Sequence, residues 1–153
     1  MKQVLIAVDY DLVAQKVAET GYTIAKALGS RVTLLHVVSD PSYYYSTEYA
    51  PILGFTGFSA KGFEHAIEEI RETGGEFLET VKKHLEDDTV ETIVKEGDAA
   101  EMILETAKEI NADMIIMASH GRKGLERILV GSVSENVLRH AASPILIIPT
   151  KEK

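Results

Sequence analysis

The sequence contains no cysteine, so disulfide bonds and thiolate chemistry are excluded. It also lacks a basic excess: 16 Lys and Arg stand against 24 Asp and Glu, a formal net charge of -8 at pH 7. Binding to nucleic acid or anionic lipid depends on a basic surface. A long apolar run is missing before Asp9, where a signal peptide or membrane span would need one. We therefore expect a cytoplasmic protein with neither a nucleic-acid nor a membrane partner.

Several enzyme signatures are absent as well. The motif GxxxxGK[ST] of P-loop enzymes does not occur. The 5 histidines are scattered without the paired spacing of metal ligands, and no Ser-His-Asp set is recognisable. The sequence thus gives no catalytic residue and no metal ligand.

What the chain does contain is a regular alternation of apolar patterns. Its 153 residues suit a single domain, which we expect to span residues 1–153. Continuous apolar runs are typical of parallel strands covered on both faces, and apolar residues three and four apart indicate helices. Predicted strands are 4–8, 31–38, 89–94, 113–119 and 144–149; predicted helices are 14–28, 62–85, 99–110 and 132–142. This order predicts an α/β fold, an open and mainly parallel five-stranded sheet with helices on both faces.

Local signals mark several helix ends. Asp11 is a candidate cap for the first helix, and Gly29 closes it. Asp98 and Glu101 form a capping box before the third helix. Gly74-Gly75 is expected to interrupt the second helix and to bend it.

Residues 39–60 break the alternation. They carry four of the six tyrosines, two prolines and two glycines, which predicts a long loop. Its aromatic side chains close over a ligand or present a surface to a partner, or else they pack the loop against the domain, and packing is favoured.

Residues 117–136 have the pattern of an anion site. An apolar strand ends here, a loop with Gly121 and Gly124 follows, and Gly131 precedes the capping box of Ser132 and Glu135. Unpaired N–H groups at a helix start, together with the helix dipole, attract phosphate oxygens. We therefore predict a nucleotide-binding domain, with a merely well-capped helix as the competing interpretation.

Other candidate ligand contacts lie at the ends of strands. In open α/β sheets ligands bind outside the carboxyl ends of the strands, where Asp9, Val37 and the turn after the fourth strand are expected to converge. A carboxylate repels phosphate, so Asp9 is better suited to an adenine amine or ribose hydroxyls; a turn former is the alternative. Arg122 is a candidate phosphate contact, although its basic loop could equally be a solvated face.

The same segments resemble the universal stress protein family. Its phosphate-binding signature G-x-x-G-x9-G-[ST] is matched by Ala118 to Gly121, nine residues, and Gly131-Ser132. The segments IIMASHG, LVGSVSENVLRHA and PILIIP, the strand ending in Asp9, LLHV and EGDAAEMI are similar too. The resemblance covers nearly the whole chain except residues 39–60.

This resemblance implies a Rossmann-like sheet of strand order 3-2-1-4-5, a homodimer, and ATP or AMP, with or without Mg²⁺, in the crevice. By position, Asp9 meets the adenine, Val37 lines its pocket and Ala7 lies beside it. Met117, Ala118 and Gly121 flank the ribose and phosphates. The implied phosphate-holding residues are Gly131, Ser132, Val133 and Ser134.

Two residues depart from the family pattern. Ala118 replaces the first motif glycine and adds a methyl group, which is tolerable if its φ is negative. Asp11 replaces a hydroxyl residue of the common D-x-S. The leading hypothesis is a stress-response regulator that binds nucleotide and hydrolyses ATP weakly at most, with an unidentified protein partner. The alternatives are a nucleotide-free dimeric interaction module and a slow ATPase or phosphotransferase using Asp9 and Asp11 at a metal.

The last strand is strongly apolar, and at a sheet edge it would invite association with a second copy. We therefore expect a homodimer through residues Ile145 to Ile148.

Overall fold

The computed structural model describes residues 1–10, 13–38, 60–119 and 132–150, with the side chains of 60–67 left aside. Within these ranges strands and helices alternate as the sequence predicts. The strands are β1 (Gln3–Ala7), β2 (Arg31–Val38), β3 (Glu91–Glu96), β4 (Met114–Ala118) and β5 (Ile145–Ile148). The helices are α1 (Ala14–Ala27), α2 (Ala60–Leu85), α3 (Ala99–Glu109) and α4 (Ser132–His140).

The five strands form one sheet in the order β3-β2-β1-β4-β5. Every neighbouring pair is parallel, which confirms the predicted α/β fold and its strand order. The chain builds outward from β1 through β2 to β3, then returns to the other side of β1 for β4 and β5. This reversal between β1 and β4 opens a crevice outside their carboxyl ends, where ligands bind in sheets of this kind.

Two apolar cores cover the two faces of the sheet. Helices α1 and α2 pack on one face around Ile6 and Leu34, and α3 and α4 pack on the other around Leu5 and Ile115. Burial on both faces explains why the central strands are continuously apolar rather than alternating. Gly21 of α1 is part of this packing, because a Cβ there would come within 2.9 Å of Ile6 Cδ1.

The predicted interruption of the second helix is wrong. Helix α2 runs unbroken from Ala60 to Leu85, through Gly74 and Gly75. A Cβ on Gly74 would lie 3.0 Å from His36 Cδ2, whereas a Cβ on Gly75 would meet nothing within 4 Å. Gly74 therefore permits close approach of the helix to β2, a tertiary reason that helix propensity does not show.

Two of the three predicted helix ends are confirmed. Gly29 has a φ of 69°, and the N–H of Ser30 donates to Ala25 O over 2.9 Å, which closes α1 as a Schellman motif. The Asp98 carboxylate accepts from Glu101 N at 2.9 Å, as its capping box predicts. Helix α1 instead begins after Val13, which makes no side-chain cap bond; Asp11 lies outside the described residues.

Some boundaries move by a few residues. Strand β3 begins at Glu91 rather than residue 89, because Asp87 accepts from Thr89 N at 2.9 Å and holds a turn there. The position of β3 as an edge strand is confirmed. Among the described helices, none carries the long apolar stretch that crossing a bilayer requires.

Candidate functional site

The strand register brings the predicted contacts on the sheet to one edge. Ile6 of β1 pairs with Ile116 of β4, and Ala7 pairs with Leu35 of β2. The residues that follow these pairs therefore surround the end of β1. They are Asp9 after β1, Val37 near the end of β2, and Met117 and Ala118 at the end of β4. The structure thus brings these four positions and Ala7 to the crevice at the reversal of strand order.

The backbone of Val37 is directed toward this crevice. Leu35 O accepts from Val8 N at 2.9 Å on the β1 side, and Val38 O accepts from Gly97 N at 3.0 Å on the β3 side. Backbone groups at alternate positions of β2 therefore bond to opposite sides. Val37 has the same orientation as Leu35 and turns its N–H and C=O toward β1. Because β1 has ended at Ala7, these groups face the crevice. The sequence indicates Val37 as a contact, but the direction of its backbone groups follows only from the strand register.

Asp9 is partly exposed beside this edge. One of its carboxylate oxygens, Oδ1, accepts from the N–H of Tyr10 over 2.9 Å. The bond runs to the next residue, whereas a turn-forming Asp bonds the N–H two residues on, so the turn-forming alternative stays a prediction. The bond does not conflict with a ligand contact, because an ionised carboxylate has two oxygens and several acceptor positions.

Ser134 joins the start of α4 to the end of β4. Its hydroxyl donates to Ala118 O over 2.8 Å, and the side chain is only 2% exposed. Ser119 follows the last residue of β4. Its N–H donates to Ile148 O, and its Oγ accepts from Thr150 N at 3.2 Å. The Ser134 bond therefore holds the start of α4 against the end of β4, and the Ser119 bonds tie the end of β4 to the residues after β5. Neither Ser119 nor Thr150 carries a sequence signal for this role, because their partners lie about thirty residues away.

Helix α4 begins at Ser132, the residue at which the sequence predicts its start. Ser132 is exposed and Val133 is partly buried against the core of α3 and β4. The Glu135 carboxylate accepts from Arg139 Nη2 at 2.8 Å, one turn further along the helix. Since Ser134 holds this helix end to β4, its first N–H groups and positive dipole end lie at the crevice.

Ala118 meets the condition for replacing glycine. It lies in β4 and pairs with Ile148 in the sheet. Among the described non-glycine residues, a positive φ occurs at Glu86 and Asn111. Ala118 therefore has ordinary strand geometry, and its methyl group introduces no backbone strain.

Several predicted contacts fall outside the described residues. Gly121, Arg122 and Gly131 belong to segment 120–131, and the tyrosine-rich stretch lies in 39–59. Within the described ranges, no three His, Asp or Glu side chains come together as metal ligands would.

The strongest carboxylate perturbations lie at the opposite, amino edge of the sheet. The hydroxyl of Thr89 is the main cause of a pKa of Asp87 far below its usual range, and Tyr22 adds a hydrogen bond of 2.7 Å. The N–H groups of Lys2 and Gln3 donate to Asp113 over 2.7 and 2.9 Å and lower its pKa. Such shifts often mark functional sites, but here they mark carboxylates that tie the amino edge together.

Comparison with known proteins agrees with this geometry. The pattern of the universal stress protein family matches residues 1–149. Universal stress protein MJ0531 of Methanocaldococcus jannaschii is 34% identical over 155 residues, covering 99% of this chain and 84% of that protein. Universal stress protein MJ0577 of the same organism is 30% identical, covering 98% and 96%.

Solved structures give the same result. The structure of MJ0577 matches with a TM-score of 0.77 at 27% identity and covers 99% of this chain and 98% of its own. The universal stress protein from Archaeoglobus fulgidus in complex with dAMP has a TM-score of 0.61 at 20% identity, covering 97% and 98%; at that identity it shows the shared fold alone. With the family pattern running from residue 1 to residue 149, this chain belongs to the universal stress protein family.

Proposed function

We propose that this protein is a cytoplasmic stress-response regulator that binds ATP or AMP in the crevice between the ends of β1 and β4. The observation that carries the proposal is the hydrogen bond from Ser134 to Ala118 O. This bond holds the N-terminus of α4 at the end of β4, next to β1. The proposed phosphate site and the proposed base site therefore share one crevice. The A. fulgidus universal stress protein, which shares this fold, is in complex with dAMP, and our proposal extends that ligand class, adenine nucleotides, to this chain.

The base half of the site consists of Val37 and Asp9, with Ala7 beside them. Val37 offers a backbone N–H donor and a C=O acceptor toward the crevice, the complement of one edge of adenine. The partly exposed Asp9 carboxylate accepts from the exocyclic amine or from ribose hydroxyls. A phosphate is disfavoured at this end, because it would meet a carboxylate of the same charge.

The phosphate half is the start of α4. The N–H groups of Ser132, Val133 and Ser134 belong to its first turn, where a helix cannot pair them internally. The buried hydroxyl of Ser134 is engaged with Ala118 O, so we assign to this residue its N–H as the phosphate contact. Met117 and Ala118 border the space between the halves, and Gly121, Arg122 and Gly131 complete the phosphate side from segment 120–131.

We infer a binding protein rather than an efficient enzyme. The described part of the crevice supplies hydrogen-bond donors and one carboxylate, that of Asp9, but no paired acid and base. General acid–base catalysis needs such groups within hydrogen-bond reach of the reacting atoms. ATP hydrolysis, where it accompanies binding, is expected to be slow.

We also propose that β5 forms a homodimer. Strand β5 is an edge of the sheet, and Ile145, Leu146 and Ile147 on it are only partly buried. An apolar edge strand exposes unpaired backbone groups together with apolar surface, and a symmetric second copy covers both.

Calorimetry with ATP, AMP and inorganic triphosphate tests the binding proposal. The variant Gly131→Val adds a bulky side chain to segment 120–131, at a proposed phosphate contact, and is expected to abolish ATP binding. Gly75→Val is the matched control, because a Cβ at Gly75 meets nothing within 4 Å. Unchanged ATP affinity in Gly131→Val, or no ATP binding by the wild-type protein, would refute the assignment.

A further inference from the structure

The hydrogen-bonded pairing of β1 with β2 stops before the N–H of Val37 has joined it. The last paired residues are Ala7 and Leu35, and Val8 still donates its N–H to Leu35 O over 2.9 Å. In a continuing parallel ladder, Val8 O would next accept from the N–H of Val37. Instead, the ring of His36 takes this acceptor, with its Nδ1 3.1 Å from Val8 O.

This contact determines where His36 carries a proton. A carbonyl oxygen only accepts hydrogen bonds, so Nδ1 must be the donor. The ring is 3% exposed, and in so buried a place Val8 O needs a donor, because an unsatisfied buried carbonyl is costly. His36 therefore satisfies Val8 O without using the backbone of Val37.

Packing holds the ring in this position. Phe77 of α2 meets it edge to face, with ring centroids 5.4 Å apart. Gly74 of the same helix leaves room for the ring, because a Cβ there would come within 3.0 Å of Cδ2. Phe77 also contacts Tyr10, with centroids 5.0 Å apart. One aromatic set thus supports both the His36 ring and the turn after Asp9.

We propose that His36 is a positioning residue for recognition of the base. Its Nδ1–H gives Val8 O a donor where the β1–β2 ladder stops, so this carbonyl does not need the N–H of Val37, which is left to a hydrogen-bond acceptor on the base edge of the ligand. This inference rests on the proposed nucleotide function and names a residue of this chain that sets its selectivity for the base. Without the ring donor, the N–H of Val37 closes onto Val8 O, and the base loses its donor.

Two substitutions separate the ring from its donor. His36→Phe keeps an aromatic ring on Phe77 but removes the hydrogen bond. His36→Asn removes the ring but keeps an N–H donor close to the position of Nδ1. In calorimetry, His36→Phe is expected to bind ATP about tenfold more weakly than wild type, which corresponds to the loss of one hydrogen bond. Its affinity for inorganic triphosphate stays unchanged, and His36→Asn stays within about threefold of wild type for ATP.

Amide hydrogen exchange provides a readout that needs no ligand. The Val37 amide is expected to exchange quickly in the wild-type protein and in His36→Asn, and to become protected in His36→Phe. An unchanged Val37 amide in His36→Phe overturns the assignment of His36 whether or not nucleotide binds. Equal loss of ATP and triphosphate affinity also overturns it, since a general structural defect would act on both. Absence of ATP binding by the wild-type protein refutes the proposed function and the ligand half of this inference.

A second pair of variants covers the case in which His36→Phe does not fold. Gly74→Ala places a methyl group against the His36 ring, whereas Gly75→Ala places one in open space on the same helix. Both changes raise helix propensity to a similar extent. Gly74→Ala is expected to raise the dissociation constant for ATP at least about threefold, and Gly75→Ala to leave it unchanged. Equal affinities in the two variants would refute the role of the ring.

Discussion

Replacing Ser134 with alanine tests how the crevice is assembled. The substitution removes a hydroxyl that is 2% exposed and donates to Ala118 O at 2.8 Å. The carbonyl of Ala118 points toward the end of β1, where no strand continues to offer it a donor. In Ser134→Ala this partly buried acceptor loses its partner, and the start of α4 loses its tether to β4.

The size of the effect follows from these contacts. Leaving a fully buried acceptor unsatisfied costs about 1–3 kcal/mol in the free energy of unfolding, and because Ala118 O is only partly buried we expect the lower end of that range. For a domain of this length each kcal/mol lowers Tm by about 2–4 °C. The first N–H groups of α4 also lose their fixed position at the phosphate site. We expect the dissociation constant for ATP to rise about tenfold, equivalent to about 1.4 kcal/mol.

Ser143→Ala provides the matched control. The hydroxyl of Ser143 donates to Ala112 O over 2.9 Å, a contact of the same type at the amino edge of the sheet. Thermal unfolding and calorimetry with ATP should show a loss of stability in both variants but a loss of affinity only in Ser134→Ala. The reasoning is refuted if Ser134→Ala unfolds at a lower temperature and still binds ATP as the wild type does, because the bond would then be purely structural.

Three further predictions concern packing, pH and assembly. Gly21→Val should lower the free energy of unfolding by about 1–3 kcal/mol in denaturant titrations, because even a Cβ lies 2.9 Å from Ile6 Cδ1; an unchanged midpoint would mean that the helix can shift. The lowered pKa values of Asp87 and Asp113 mean that their stabilisation is complete above about pH 4 and is lost as the pH falls through the lowered values. Asp113→Asn should therefore flatten the acid limb of the stability curve, and a slope equal to that of the wild type would contradict this. Ile147→Lys should shift the sedimentation coefficient from dimer to monomer, and a wild-type monomer at micromolar concentration would remove the dimer proposal.

Signals that act within a few residues were the most reliable part of the sequence. Asp98 and Glu101 located the start of α3, and Gly29 located the end of α1. Each depends on hydrogen bonds between residues close in sequence, so residue type and spacing suffice. Continuous apolar strands likewise required helices on both faces.

Other features of the site depend on partners distant in sequence. Ser134 was selected for its place at a helix start, but its hydroxyl bonds Ala118 O, 16 residues away. His36 belongs to an apolar strand and carries no motif of its own, yet its ring takes Val8 O, 28 residues away. Gly74 has the residue type of a helix breaker, but the packing of α2 against β2 leaves little room for a Cβ beside the His36 ring.

The sequence by itself determined the α/β class, the order of elements, the helix starts and ends that carry local caps, and the residues expected at the crevice. Only the tertiary structure decided which backbone groups face that crevice and what holds them. The reason is physical: the direction of a strand's N–H and C=O groups follows from its register with its neighbours. That register is set by packing of the whole sheet. The N–H and C=O of Val37 face the crevice because β1 stops beside them, which residue type alone does not show.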